Sequence, residues 1–161
     1  MTAKTNKNAS ITITESDEGE RKALCVNRFK IQREGSFNVI TLAFALGGFT
    51  LNTYVVVVPA TAVDATKKSV LDYLDRLRPN IGNAESEKPS DINQSQQAPV
   101  FYGNHVGFAH VGQLAQIRVM SFDLRALGVA GTKNVMADRV ATFEMPVETQ
   151  LGILTALYVS P

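Results

Sequence analysis

Two stretches of this chain repeat each other in one register. With Asn104 placed on Asn27 and no gap, Phe108 falls on Ile31, Gly112 on Gly35, Leu114 on Phe37, Ile117 on Ile40 and Val119 on Leu42. After a longer loop in the second stretch (residues 126–133), Pro146 matches Pro59, and Leu154 and Leu157 take the parts of Leu71 and Leu74. A glycine after each of two matching strand patterns means that one turn is made twice. The recurrence restricts the fold strongly, because a three-stranded sheet with one helix cannot bury its apolar face alone. The expected fold is therefore α+β. Two β-β-β-α units, with antiparallel sheets each closed by one helix, are expected to pack around a pseudo-twofold axis.

In the first unit, residues 21–79, Val26, Phe29 and Ile31 alternate imperfectly with Arg28, Lys30 and Gln32 as far as Gly35. Phe37 to Leu46 is apolar on both faces, which predicts a strand covered on both sides. Gly47-Gly48 separates it from Leu51 to Val58, whose four closing valines favour extended backbone because they lose χ1 freedom in a helix. Pro59 ends that strand. Thr61 and Asp64 form a capping-box variant for a helix with Val63, Val70, Leu71, Leu74 and Leu77 on one face, and Pro79 stops it. In the second unit, residues 100–161, strands are expected over 100–111, 114–124 and 137–145, and a helix over 148–158. Residues 1–20 read as a polar arm, with Ile11 and Ile13 patterned for a sheet edge. Residues 80–99, rich in Asn, Ser, Gln, Glu and Pro, read as a polar linker.

Charge and cysteine content narrow the function classes. Sixteen basic residues oppose fifteen acidic ones, a formal net charge of +1. No bulk field draws such a chain to nucleic acid or membrane, so any basic site must be local. The single cysteine, Cys25, reads as a small apolar strand residue rather than a reactive thiol, with no histidine near it in sequence. With no internal disulfide to form and no apolar leader core in Met1 to Ser10, a cytoplasmic location is expected. Residues 35–63 carry no charge and are long enough to cross a bilayer. Asn38, Asn52, the Gly47-Gly48 pair and Pro59 interrupt them, so two strands are expected there and no membrane span.

Tyr102, Asn104 and Val106 open the second unit, and Arg139, Val140 and Pro146 lead into the helix bearing Leu151 and Leu154. In these residues, over roughly 100–158, the chain resembles a short bacterial family known only as a domain of unknown function. That resemblance implies no activity. In topology alone, strand-rich repeats closed by one helix are similar to PUR-type and Whirly-type single-stranded nucleic-acid binders, and a sheet followed by helices is similar to the SecB chaperone.

Nothing in the sequence arranges a bond-making cluster. His105 and His110 stand five apart on an expected strand, face opposite sides and are unsuited to one metal. Gly47-Gly48 precedes a strand rather than a helix N-terminus, so it is no phosphate loop. Asp123 and Glu144, on neighbouring strands, are the one conceivable acid–base pair, and read more simply as solvated carboxylates. No catalytic residue, metal or cofactor is expected, and the chain is not read as an enzyme. Binding remains. Arg21, Lys22, Arg28, Lys30 and Arg33, with Tyr54 for base stacking, form a candidate strip for single-stranded nucleic acid; a solvated strand face is the plainer reading. Phe101 and Tyr102 are candidate interface residues. The expected function is a non-enzymatic, homo-oligomeric assembly or protein-binding module. A single-stranded nucleic-acid binder is the alternative, and a SecB-like holdase the third reading.

Overall fold

The computed structural model describes residues 12–19, 22–82, 84–92, 97–125 and 134–159. The fold is mixed α+β with two similar sheets. One has the order β3 (Arg28–Glu34), β4 (Phe37–Leu46), β5 (Phe49–Pro59), β6 (Val100–Tyr102). The other is built from β7 (His105–Val111), β8 (Leu114–Ser121) and β9 (Asn134–Pro146). On the outer edge of β9 lie both β1 (Thr12–Gly19) and β2 (Ala23–Cys25). Helix α1 (Ala60–Leu77) follows β5, and α2 (Val147–Leu154) follows β9. Among the described residues no helix is long and apolar enough to cross a membrane; the uncharged stretch forms β4, β5 and the first turn of α1.

The sheets were expected to be antiparallel, and they are mixed. The hairpins β3–β4–β5 and β7–β8–β9 are antiparallel, but every strand added from elsewhere runs parallel to its neighbour. The additions are reciprocal. β2, which leads into the first hairpin, pairs with β9 (Leu24 against Phe143), while β6, which leads into the second, pairs with β5 (Phe101 against Val56). Alternation of side chains reports which face a strand buries but not the direction of a distant partner. The expected strand over 100–111 is accordingly cut in two at Gly103 and Asn104, where the chain changes sheets.

Local chemistry repeats at both joints. Asn27 donates from Nδ2 to the Ala45 carbonyl (2.7 Å) and accepts from the Ala45 N–H (2.8 Å). Asn104 makes the same two bonds with Phe122, at 2.9 and 3.0 Å. Each amide thus satisfies backbone groups where the hairpin ladder ends. Gly35 and Gly112 open two-residue turns at φ 58° and 59°, the positive value a tight hairpin needs and a side chain resists. Removing one clamp strands two half-buried backbone groups. Asn27→Ala or Asn104→Ala is therefore expected to cost about 1–3 kcal/mol, read as a lower urea midpoint at unchanged slope.

Both helices start alike and without a side-chain cap. Pro59 and Pro146 occupy the cap positions with extended ψ of 143° and 149°. The first helical N–H groups reach back to the hairpin turns, Ala60 to the Ser36 carbonyl (2.8 Å) and Val147 to that of Gln113 (2.9 Å). The expected Thr61–Asp64 cap does not form, because a backbone carbonyl already takes the first N–H and the cap position falls on Pro59, two residues before Thr61. α1 buries Val63, Val70 and Leu77, leaves Leu74 half-buried and exposes Leu71. α2 is buried on all sides and touches β3, β8 and β9. Counted from the two prolines, Leu157 stands where Val70 does. The expected matching of Leu157 with Leu74 is thus out by one turn.

The core lies between the sheets. Phe143 is wholly buried, with the rings of Tyr54 and Phe101 edge-on at 5.7 and 5.9 Å. Gln150, also wholly buried, donates to the carbonyls of Ala109 and Gln116 and accepts from the Tyr73 hydroxyl. Burial pushes the Tyr73 phenol up from its ordinary pKa.

The segment expected as a linker is fastened to the rest. Glu87 N–H donates to the Glu148 carbonyl and Ser90 N–H to that of Phe29. The Glu87 carboxylate accepts from Thr149 Oγ1 (2.7 Å) and pairs with Arg28 (3.1 Å). Ile81 and Ile92 are buried. From Ser90 at the β3 edge the chain must reach β6 at the opposite edge of that sheet. Thr41, Ala43 and Val55, on the face turned away from Phe29 and Val56, are buried as well.

Candidate interaction surfaces

The basic strip is not assembled as the sequence placed it. Arg21 lies outside the described residues, and Lys22 is exposed just ahead of β2. Arg28 and Lys30 share a face of β3, but Arg28 is engaged by Glu87 and by its own neighbour's carbonyl, that of Asn27 (2.9 Å). Arg33 has the opposite parity and donates to the Gly35 carbonyl (2.8 Å). Tyr54 turns inward onto Phe143. Of the two candidate interface residues, Phe101 belongs to the core and Tyr102 is 67% exposed.

His105 and His110 are likewise separated. His110 Nδ1 lies 3.2 Å from the Tyr73 hydroxyl, whereas His105 stands edge-on to Phe122 with its pKa held down by burial. Among the described residues no group of three His, Cys, Asp or Glu is placed to hold a metal. Glu144 pairs in register with Gln116, so Asp123, seven residues further on, stands roughly 20 Å along the strand direction. Asp123 instead takes Arg125 (3.0 Å), which holds its carboxyl below the ordinary range. The two carboxylates do not meet.

Two other surfaces stand out. Around the start of β4, Glu34, Phe37, Val39, Val57 and Tyr102 line a cavity of 300 Å³. It shares Phe37, Val57 and Tyr102 with a second, of 250 Å³, that runs on to Pro59, Asn104 and Leu124. Around the start of β8, Val111, Leu114, Gln116 and Glu144 line a cavity of 190 Å³. It shares Leu114 and Glu144 with one of 410 Å³ that runs on to Cys25, Asn27, Phe44 and Pro146. Register makes these two pairs counterparts. Glu34, Phe37 and Pro59 form one cross-strand row, and Val111, Leu114 and Pro146 the other. In the next row Val39, Val57 and Tyr102 answer to Gln116, Glu144 and Cys25.

The second surface is an edge. β6 covers β5 only from Val55 to Val57. On β9, by contrast, β1 pairs with Asn134 to Ala137 and Arg139, ahead of the part that β2 covers. No strand among the described residues pairs with the outer edge of residues 49–54. Val55 N–H and the Val57 carbonyl point outward, so by alternation Thr53 does too. Phe49 (77% exposed), Leu51 and Leu46 crowd this end of the hairpin.

Of the cleft and edge residues only Tyr102 was expected at an interface; Glu144 and Cys25 were weighed for chemistry and read as a solvated carboxylate and an apolar strand residue. Phe37 and Leu114, each two residues after a matching glycine, did recur there, but recurrence reads as fold before it reads as surface. Comparison of the chain with protein-family models, curated proteins and solved structures finds no match.

Proposed function

We propose that the chain is a duplicated, non-enzymatic module that docks to protein, in the first place to further copies of itself. The duplication is supported by the two asparagine clamps, the two positive-φ glycines, the two proline starts and the reciprocal strands β2 and β6. Two β-β-β-α units, each completed by a strand from the other, account for all of these around one pseudo-twofold axis.

The single observation that carries self-docking is the open edge of β5. An exposed, apolar, uncharged strand edge is a template for another strand, and monomeric proteins protect such edges with charge, proline or a covering element. Residues 49–54 carry neither charge nor proline and no strand among the described residues pairs with their outer edge, while the counterpart edge on β9 is covered by β1. A second copy fits because an uncharged edge meets itself antiparallel across a twofold axis with no like-charge repulsion. Light scattering is expected to show concentration-dependent dimers or larger species. Leu51→Lys puts a charge on an exposed position and is expected to weaken association about tenfold or more, with stability changed by no more than about 0.5 kcal/mol. Thr53→Pro, which removes an outward N–H and leaves the β4 ladder intact, is expected to act in the same direction. A strict monomer at high concentration overturns the reading.

The alternative, single-stranded nucleic-acid binding, has less support. Its cations are divided between two faces, Arg28 is paired with Glu87, and its stacking tyrosine is internal. The holdase reading needs an exposed apolar groove, for which the same clefts are the available places.

A further inference from the structure

We propose that the two counterpart clefts are sockets for basic side chains, and that the chain grips a protein partner through two lysines or arginines, one in each. The pairing of the clefts rests on the duplication proposed above; the chemistry of each cleft does not.

Among the described residues each composite cleft is lined mainly by apolar side chains, with one carboxylate and no lysine or arginine; His110 also lines the second. In the first the carboxylate is Glu34, beside the exposed rings of Phe37 and Tyr102. In the second it is Glu144, beside Leu114 and Cys25. The two acids occupy different positions in the shared plan: Val111 answers to Glu34, and Val57 to Glu144. Each cleft thus carries one negative charge at a different position of the shared plan, an arrangement that suits a cation in both. Neither carboxylate has a hydrogen-bond or ion-pair partner among the described residues.

Nearby cations do not fill the role. Lys30 is four residues back along β3 and does not line the first cleft. Arg118, one cross-strand row from Glu144, donates to Glu15 (2.6 Å) and Gln116 (3.1 Å) instead. An apolar pocket with a lone carboxylate suits a side chain with an aliphatic stem and a cationic head. The stem covers the walls, the head meets the acid, and in the first cleft the ring faces of Phe37 and Tyr102 favour the cation further. An acidic or phosphate-bearing group is repelled at both places, which sets a basic protein segment ahead of a nucleic acid here.

The test is an NMR titration of the full chain with the peptide acetyl-Leu-Arg-Leu-amide, and with the same peptide carrying neutral citrulline for arginine. Shift changes are expected at Phe37 and Tyr102 and, separately, at Leu114 and Glu144, with the citrulline peptide weaker by about tenfold. Glu34→Gln should abolish the response at the first cleft alone, and Glu144→Gln at the second alone. Equal binding of the citrulline peptide, indifference to both substitutions, or no response to the arginine peptide at millimolar concentration overturns the proposal. A response at one cleft only overturns the two-point grip. Light scattering on the same samples keeps this result separate from self-association through β5, since a monomer that binds the peptide sinks only the latter.

Discussion

Replacing Gly152 by alanine is expected to destabilise the protein by about 1–3 kcal/mol, although alanine in a helix interior ordinarily gains up to about 1 kcal/mol over glycine. The sign reverses because of what lies against α2. A methyl group at this position would run into the Glu87 carbonyl oxygen and approach two ring carbons of Phe29, at 2.6 and 2.8 Å. Backbone on one side and a wholly buried aromatic on the other leave it nowhere to go. Urea unfolding should show a lower midpoint at unchanged slope. A stabilised Gly152→Ala protein would mean that residues 84–92 do not lie across α2, and the account of that segment would have to be withdrawn.

A larger loss, about 3–5 kcal/mol, is expected for Phe143→Ala, the range for emptying a fully buried aromatic site. Phe143 lies on β9, yet two of the rings around it, Tyr54 and Phe101, come from β5 and β6 in the other sheet. Its removal therefore opens a cavity between the sheets rather than within one. The loss should appear as a single cooperative transition moved to lower denaturant, followed by far-UV circular dichroism and by tyrosine fluorescence together. Two separated transitions would show that the sheets unfold independently and that Phe143 does not join them.

What could be read beforehand was whatever local pattern determines. Consecutive apolar residues foretold that β4 would be covered on both faces, and Ile40, Thr41, Leu42 and Ala43 are all buried. Positions Val63, Val70 and Leu77 marked the inner face of α1, and the matched glycines marked two like turns. The misses have physical causes. A three-residue strand such as β2 or β6 carries no pattern that names its partner, so the exchange between sheets was invisible. Val55 to Val58 are apolar at every position, so alternation could not say that Tyr54 faces inward. Residues 80–99 read as a polar linker by composition alone, which could not show that the fold brings Thr149 and Arg28 to Glu87. Arg33 is a plainer lesson, since its odd spacing from Arg28 and Lys30 already placed it on the other face of β3.

The reciprocal exchange of β2 and β6 bears on how the protein is made. The first hairpin leaves the ribosome without its fourth strand, which arrives only with residues 100–102, and β1 and β2 have no partner until β9 has been synthesised. Neither sheet is complete while the nascent chain is partial, and the last contacts to close join the most distant parts of the polypeptide. Such a topology favours slow, late, all-at-once maturation and a long exposure of unpaired strands. Quality control during translation, rather than the stability of the finished molecule, then becomes the stage at which this design is most easily lost.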